Sequence, residues 1–178
     1  MASAFFWGNK KTITYERKRA LKKIKEFMIK CDFTLSPNLI LDVRCENIND
    51  LLLHEKVDTH RVNSLKDYLE TLDQIIIPSI IVDKKTNLVI DGHHRVSVFK
   101  YLKIPKILVT KVDYLSSNIK LISSIKNLVK EEIIELALSS TLVPQKSTKH
   151  YIQDYNNKRW GPITLASKLW IIQNPSTS

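Results

Sequence analysis

The stretch Leu88-Val89-Ile90-Asp91-Gly92-His93-His94-Arg95-Val96-Ser97-Val98-Phe99 decides how this chain is read. It opens on an apolar run, and beyond Gly92 the residues Val96, Val98, Phe99 and Leu102 support a helix over His93 to Leu102. Gly92, one of three glycines, sits at the junction, where a residue without Cβ lets the backbone turn tightly and approach a ligand closely. A helix starting there offers unpaired N–H groups and the positive end of its dipole, which together favour an anion. Asp91, His93, His94 and Arg95 gather a carboxylate, two imidazoles and a guanidinium at the same turn. Collecting ionisable groups behind an apolar strand is unfavourable unless something binds them. The expectation is a phosphate-binding turn, and the competing reading is an ordinary surface turn.

Outward from that turn, Ser79 to Val82 and Leu88 to Ile90 read as two strands joined by the polar turn Asp83 to Asn87, and Lys106 to Val112 as a further strand. Upstream, Asp58 suits an N-cap for a helix over Thr59 to Asp73 that buries Val62, Leu65, Leu69 and Leu72. Asn38 to Arg44 reads as a short strand, and Leu51 to His54 as a strand or extended turn. Downstream, Lys130 to Leu138 reads as a short helix with Ile133, Ile134, Leu136 and Ala137 inward, followed by the polar segment Gln145 to His150. Near the start, Tyr15 to Lys30 places Leu21, Ile24, Phe27 and Met28 on one face and basic residues on the other, the pattern of an amphipathic helix.

The chain has 178 residues, enough for one sizeable core. Its apolar runs are far shorter than the roughly 20 residues that cross a bilayer, so no membrane span is expected. Two cysteines, Cys31 and Cys45, have no metal-ligand spacing and suit a reducing compartment; a cytoplasmic location is expected, with an organelle presequence left open. The net charge of +10 would serve nucleic acid or a phosphate-rich small molecule equally. No aromatic residues interleave with the basic ones of the first helix, so it reads as a solvated face and nucleic acid is not the expected partner. Oligomeric state is not readable.

Adjacent residues on a helix point about 100° apart, so His93 and His94 do not suit one zinc ion. Magnesium carried by phosphates, with Asp91 as the one candidate protein contact, is the expected metal. Two further segments carry polar chemistry. His54-Glu55 precedes the capped helix and, read alone, is a surface or capping pair. Lys146-Ser147-Thr148-Lys149-His150 collects cations and hydroxyls suited to phosphate or carboxylate.

Taken together, these three segments resemble the free L-serine kinases of the ParB/sulfiredoxin superfamily. Asp91 to Arg95 matches that family's Asp-Gly-His-His-Arg signature, and His54-Glu55-Lys56-Val57 is similar to its His-Glu-Glu-Val element. Pro144-Gln145-Lys146-Ser147-Thr148-Lys149-His150 resembles its Pro-Pro-Lys-Ser/Thr-Thr-Arg-His motif, with Gln145 in place of a proline and Lys149 in place of an arginine. The resemblance covers about Leu51 to His150. Sulfiredoxins need a cysteine where His93 stands, and the Gly-Glu-Arg-Arg box and helix-turn-helix of partition-type ParB proteins are missing from the sequence.

The resemblance implies an α+β fold of ParB/sulfiredoxin type, a small mixed sheet with packed helices. Residues 1–36 would form an N-terminal basic helix packed on the core, and residues 37–178 the catalytic domain. It implies phosphoryl transfer from ATP or ADP, with Mg2+, to the hydroxyl of free L-serine. Glu55 would be the catalytic base and Asp91 a second carboxylate; Gly92, His93, His94 and Arg95 would hold the donor phosphates, and Lys146, Ser147, Thr148 and His150 the amino acid. The alternative from another class is a ParB-like nucleotide-binding regulatory or DNA-associated module without phosphotransfer, favoured by the basic N-terminal helix.

Overall fold

A computed structural model describes residues 33–173; the expected helix over Tyr15 to Lys30 lies outside them. The architecture is α+β. A four-stranded mixed sheet is built from β1 (Ile40–Asn47), β3 (Ile80–Asp83), β4 (Val89–Asp91) and β5 (Lys106–Val112), in the order β1-β5-β3-β4. β1 runs antiparallel to β5, β3 parallel to β5, and β4 antiparallel to β3. All four residues of β3 are buried, as expected of a central strand covered on both faces.

Two helices pack with this sheet: α1 (Thr59–Glu70) and α2 (His93–Tyr101). Their inward residues Val62, Leu69, Val96 and Phe99 share one core with Ile80, Val82, Val89, Ile107 and Val109. α1 starts where the sequence places it, because the Asp58 carboxylate accepts hydrogen bonds from the backbone N–H groups of His60 and Arg61 at 3.0 and 3.3 Å. It ends at Glu70, three residues short of the expected Asp73, and the chain enters β2 (Gln74–Pro78) instead.

The turn between β3 and β4 is organised by the buried Asp83. Its Oδ2 accepts from the N–H groups of Lys85 and Thr86 and the Thr86 hydroxyl, and its Oδ1 from Tyr114 N–H. This anchors the start of β4, and therefore the position of Gly92.

Two smaller sheets complete the domain. β2 pairs with β9 (Leu169–Gln173), and β6 (Ile119–Ser123), β7 (Thr148–Gln153) and β8 (Trp160–Pro162) form a three-stranded antiparallel sheet. The polar segment expected over Gln145 to His150 is in part β7, with His150 and Ile152 inward. The third helix, α3 (Lys130–Leu138), has its expected bounds, with Ile133 and Ala137 buried. No helix among the described residues is long and apolar enough to cross a membrane.

Candidate active site

The segment expected as a strand or extended turn over Leu51 to His54 joins no sheet, yet it is held on both sides. Leu52 bridges Leu88 in parallel, with Val89 N–H donating to the Leu52 carbonyl at 2.8 Å. Three residues on, Glu55 bridges Val143, Val143 N–H donates to the His54 carbonyl at 2.8 Å, and Lys56 N–H donates to the Val143 carbonyl at 3.0 Å. The segment is thus laid between β4 and the approach to β7. Three motifs far apart in sequence meet around one cavity of about 460 Å3, within the usual range for a small-molecule site.

Glu55, Asp91, Gly92, His93, His94, Arg95, Thr148 and His150 line this cavity. Lys146 and Ser147 are not among its lining residues. Lys146 instead turns the chain with φ +58° and gives its backbone N–H to the Glu55 carboxylate. Ser147 is buried, and its hydroxyl has no hydrogen-bond partner among the described residues. The wall also holds Lys149, from the cationic segment, and Arg61, Tyr151 and Pro162 to Thr164, none of the latter singled out by the sequence as site residues. The only sequence signal for Arg61 is its place in the first turn of a capped helix, which cannot say what that turn faces.

Gly92 caps α2 with φ +112°, and among the described residues no side chain caps the helix's first turn. A Cβ at this position would lie 2.6 Å from Ile80 Cδ1 and 3.2 Å from the Arg95 guanidinium. Arg95 is pinned: its Nη1 donates to the carbonyls of Pro78 and Ser79, the latter at 3.0 Å, and its Nη2 pairs with Asp91 Oδ2 at 2.5 Å. Burial lowers its pKa, opposed by Asp91. The pair therefore shapes the turn, leaving Asp91 Oδ1 as the oxygen outside it. His94 also has a local partner, since its Nε2 accepts from Asp58 N–H at 3.1 Å and so ties the start of α2 to the start of α1. That bond requires the proton on Nδ1, and burial, with the nearby Arg61 charge, pushes the His94 pKa down.

Below the cavity lies a cluster of buried imidazoles. His54 is fully buried, and His93 and His150 are 8% exposed. The His54 and His93 rings meet edge to face at 4.5 Å between centroids, with Nδ1 of the first 3.2 Å from Nε2 of the second. His54 Nε2 is 3.1 Å from Thr148 Oγ1, whose hydroxyl donates to Glu55 Oε2. His150 Nε2 is 2.8 Å from the Tyr114 hydroxyl. Burial pushes the pKa of His54 down to about 4 and that of His150 to about 3; His93 is lowered well below its usual value, and burial raises the Tyr114 phenol. All three histidines are neutral at pH 7, consistent with their bonding. Among the described residues no group of three or more His, Cys, Asp or Glu side chains is arranged to hold a metal ion.

Fold and site together define a small α+β domain with a polar cavity that the N-terminal turn of α2 lines. Among solved structures, the chain is similar to a free serine kinase in complex with AMP, at a TM-score of 0.58 and 12% identity over 69% of this chain and 91% of that one. It is equally similar to a glutamate-to-alanine mutant of a free serine kinase in complex with ADP, at 0.58 and 11% over 69% and 92%. A conserved hypothetical protein from Pyrococcus furiosus matches at 0.57 and 10% over 72% and 97%. At these identities the likeness is one of fold. No family model matches the chain, and no curated protein matches its sequence.

Proposed function

We propose that this protein is a nucleotide-dependent kinase that transfers a phosphoryl group from ATP or ADP to the hydroxyl of free L-serine, giving O-phospho-L-serine. The observation that carries the reading is that the Glu55 carboxylate and the open N-terminus of α2 line the same cavity. Phosphoryl transfer needs those two things in one place: donors for the phosphates and a carboxylate for the proton of the attacking hydroxyl. The shared fold with free serine kinases seen with AMP and ADP supports the same choice.

On this reading the phosphates rest on the N–H groups that follow Gly92, with the cations Arg61 and Lys149 on the same wall. The acceptor hydroxyl gives its proton to Glu55 as its oxygen bonds to phosphorus and the bond to the leaving nucleotide breaks. Asp91 Oδ1 orients that hydroxyl or meets a water of magnesium. Magnesium, held mainly by the phosphates, would supply charge neutralisation. Thr148 and His150 also line the cavity and would face the amino acid. Arg95 would act by fixing Asp91 and the turn. The domain would be of ParB/sulfiredoxin type, residues 37–178 its catalytic unit, and the cytoplasm its compartment.

Incubation of the full chain with Mg2+, ATP or ADP, and single free amino acids including serine, threonine and homoserine tests this directly. Phosphorus NMR should show a phosphomonoester resonance that depends on serine. Its absence with both nucleotides and every amino acid would reject the kinase reading.

A further inference from the structure

The buried pair His93 and His54, joined through the Thr148 hydroxyl to Glu55, has no place in the steps above, and its protons can be assigned. Thr148 Oγ1 carries one proton, which lies toward Glu55 Oε2 at 2.5 Å. Oγ1 must therefore accept from His54 Nε2–H at 3.1 Å. A neutral His54 protonated on Nε2 has a bare Nδ1, and that nitrogen accepts from His93 Nε2–H at 3.2 Å. Every proton then points from His93 toward Glu55. The opposite tautomer of His54 would set a bare Nε2 against the lone pairs of Oγ1, an unpaired buried contact.

The Glu55 carboxylate has about four lone-pair sites. Thr148 fills both sites of Oε2, with its hydroxyl and with its backbone N–H at 3.3 Å. Lys146 N–H fills one site of Oε1. Among the described residues, one lone pair, on Oε1, is left.

We infer that His54 and His93 are positioning residues that act through Thr148 to orient the Glu55 carboxylate so that one lone pair of Oε1 takes the proton of the acceptor hydroxyl. The inference rests on the phosphotransfer reading and deepens it. His93 holds the tautomer of His54, His54 holds the Thr148 hydroxyl, and that hydroxyl holds Oε2. Thr148 thereby supports the base through its hydroxyl and its backbone N–H.

The test uses the full chain and four variants, assayed for kcat and for KM of the nucleotide. Thr148→Val keeps the shape and removes the hydroxyl; kcat should fall on the order of tenfold to a hundredfold with nucleotide KM unchanged. Thr148→Ser restores the hydroxyl and should restore kcat. His54→Leu should lower kcat as Thr148→Val does, and the double variant should be no slower than Thr148→Val alone, because the two residues act as one unit. Losses that multiply in the double variant, or an unchanged kcat in Thr148→Val, would overturn the inference while leaving the kinase reading intact. Should His54→Leu not fold, the Thr148 pair and the following measurement decide the matter. Nitrogen-15 NMR of the histidine rings near pH 7 should show His54 protonated on Nε2 and bare on Nδ1, whether or not the chain turns over. The Nδ1-protonated form would overturn the inference. A wild-type chain that phosphorylates no amino acid sinks the kinase reading instead, and with it the catalytic part of the role given to His54 and His93.

Discussion

Gly92 meets two demands at one backbone position: a φ of +112°, which L side chains avoid, and a Cβ direction already occupied by Ile80 Cδ1 and the Arg95 guanidinium. Ile80 can shift its terminal methyl, but the backbone strain remains and Arg95 is held by three acceptors. Gly92→Ala is expected to lower unfolding free energy by about 1–3 kcal/mol in urea melts, and to weaken nucleotide binding in calorimetric titration, because the first-turn N–H groups move with the turn. Glu55 poses a different problem, since everything that touches its carboxylate is a donor. Glu55→Gln puts an NH2 group against one of those donors and, on the proposed mechanism, removes the base. Turnover should drop on the order of 100-fold or more while nucleotide affinity stays near that of wild type. Retained turnover would remove Glu55 from the mechanism.

At the level of elements, the two helices that frame the cavity are tied together through one residue, the N-cap of α1. Asp58 accepts from His60 and Arg61 through its side chain, and its own N–H donates to His94 in the first turn of α2. Asp58→Ala keeps the N–H and loses the cap, so a loss of about 1 kcal/mol is expected in denaturant melts. Arg61 on the cavity wall should also become less ordered, raising nucleotide KM; an unchanged KM would mean that Arg61 does not depend on the cap. These helices were legible because their signals are local: a capping aspartate, a glycine and a 3.6-residue period. β2 and β9 were not, because Ile75 and Ile77 are buried with Ile76 exposed only once Trp170 to Ile172 lie alongside. β7 hid for another reason, since one of its inward positions is His150, which the period-two rule counts as polar.

Across the whole molecule, the site was legible as three separate motifs and not as one network. Nothing local marks His54 as fully buried or the Glu55 carboxylate as enclosed by Lys146 and Thr148, because that burial is made by β4, α2 and β7 together. The same burial gives the fold a pH dependence with a definite sign. His54 and His150, at about 4 and about 3, and His93, well below its usual value, remain neutral in the native state where an unfolded chain, near 6.5, takes up protons. The unfolded state therefore binds more protons below about pH 6.5, so stability is full above that pH and falls as pH drops toward 4. His54 and His150 are each worth about 2 kcal/mol between pH 7 and pH 5, and His93 adds in the same direction, a sum that is a large part of the whole stability of a small domain. Urea melts at pH 7, 6 and 5 should show that decline with an unchanged dependence on urea concentration. Stability that is flat, or that rises toward acid, would mean that the three rings are already charged inside the fold, which their hydrogen bonds to one another and to Thr148 and Tyr114 do not permit.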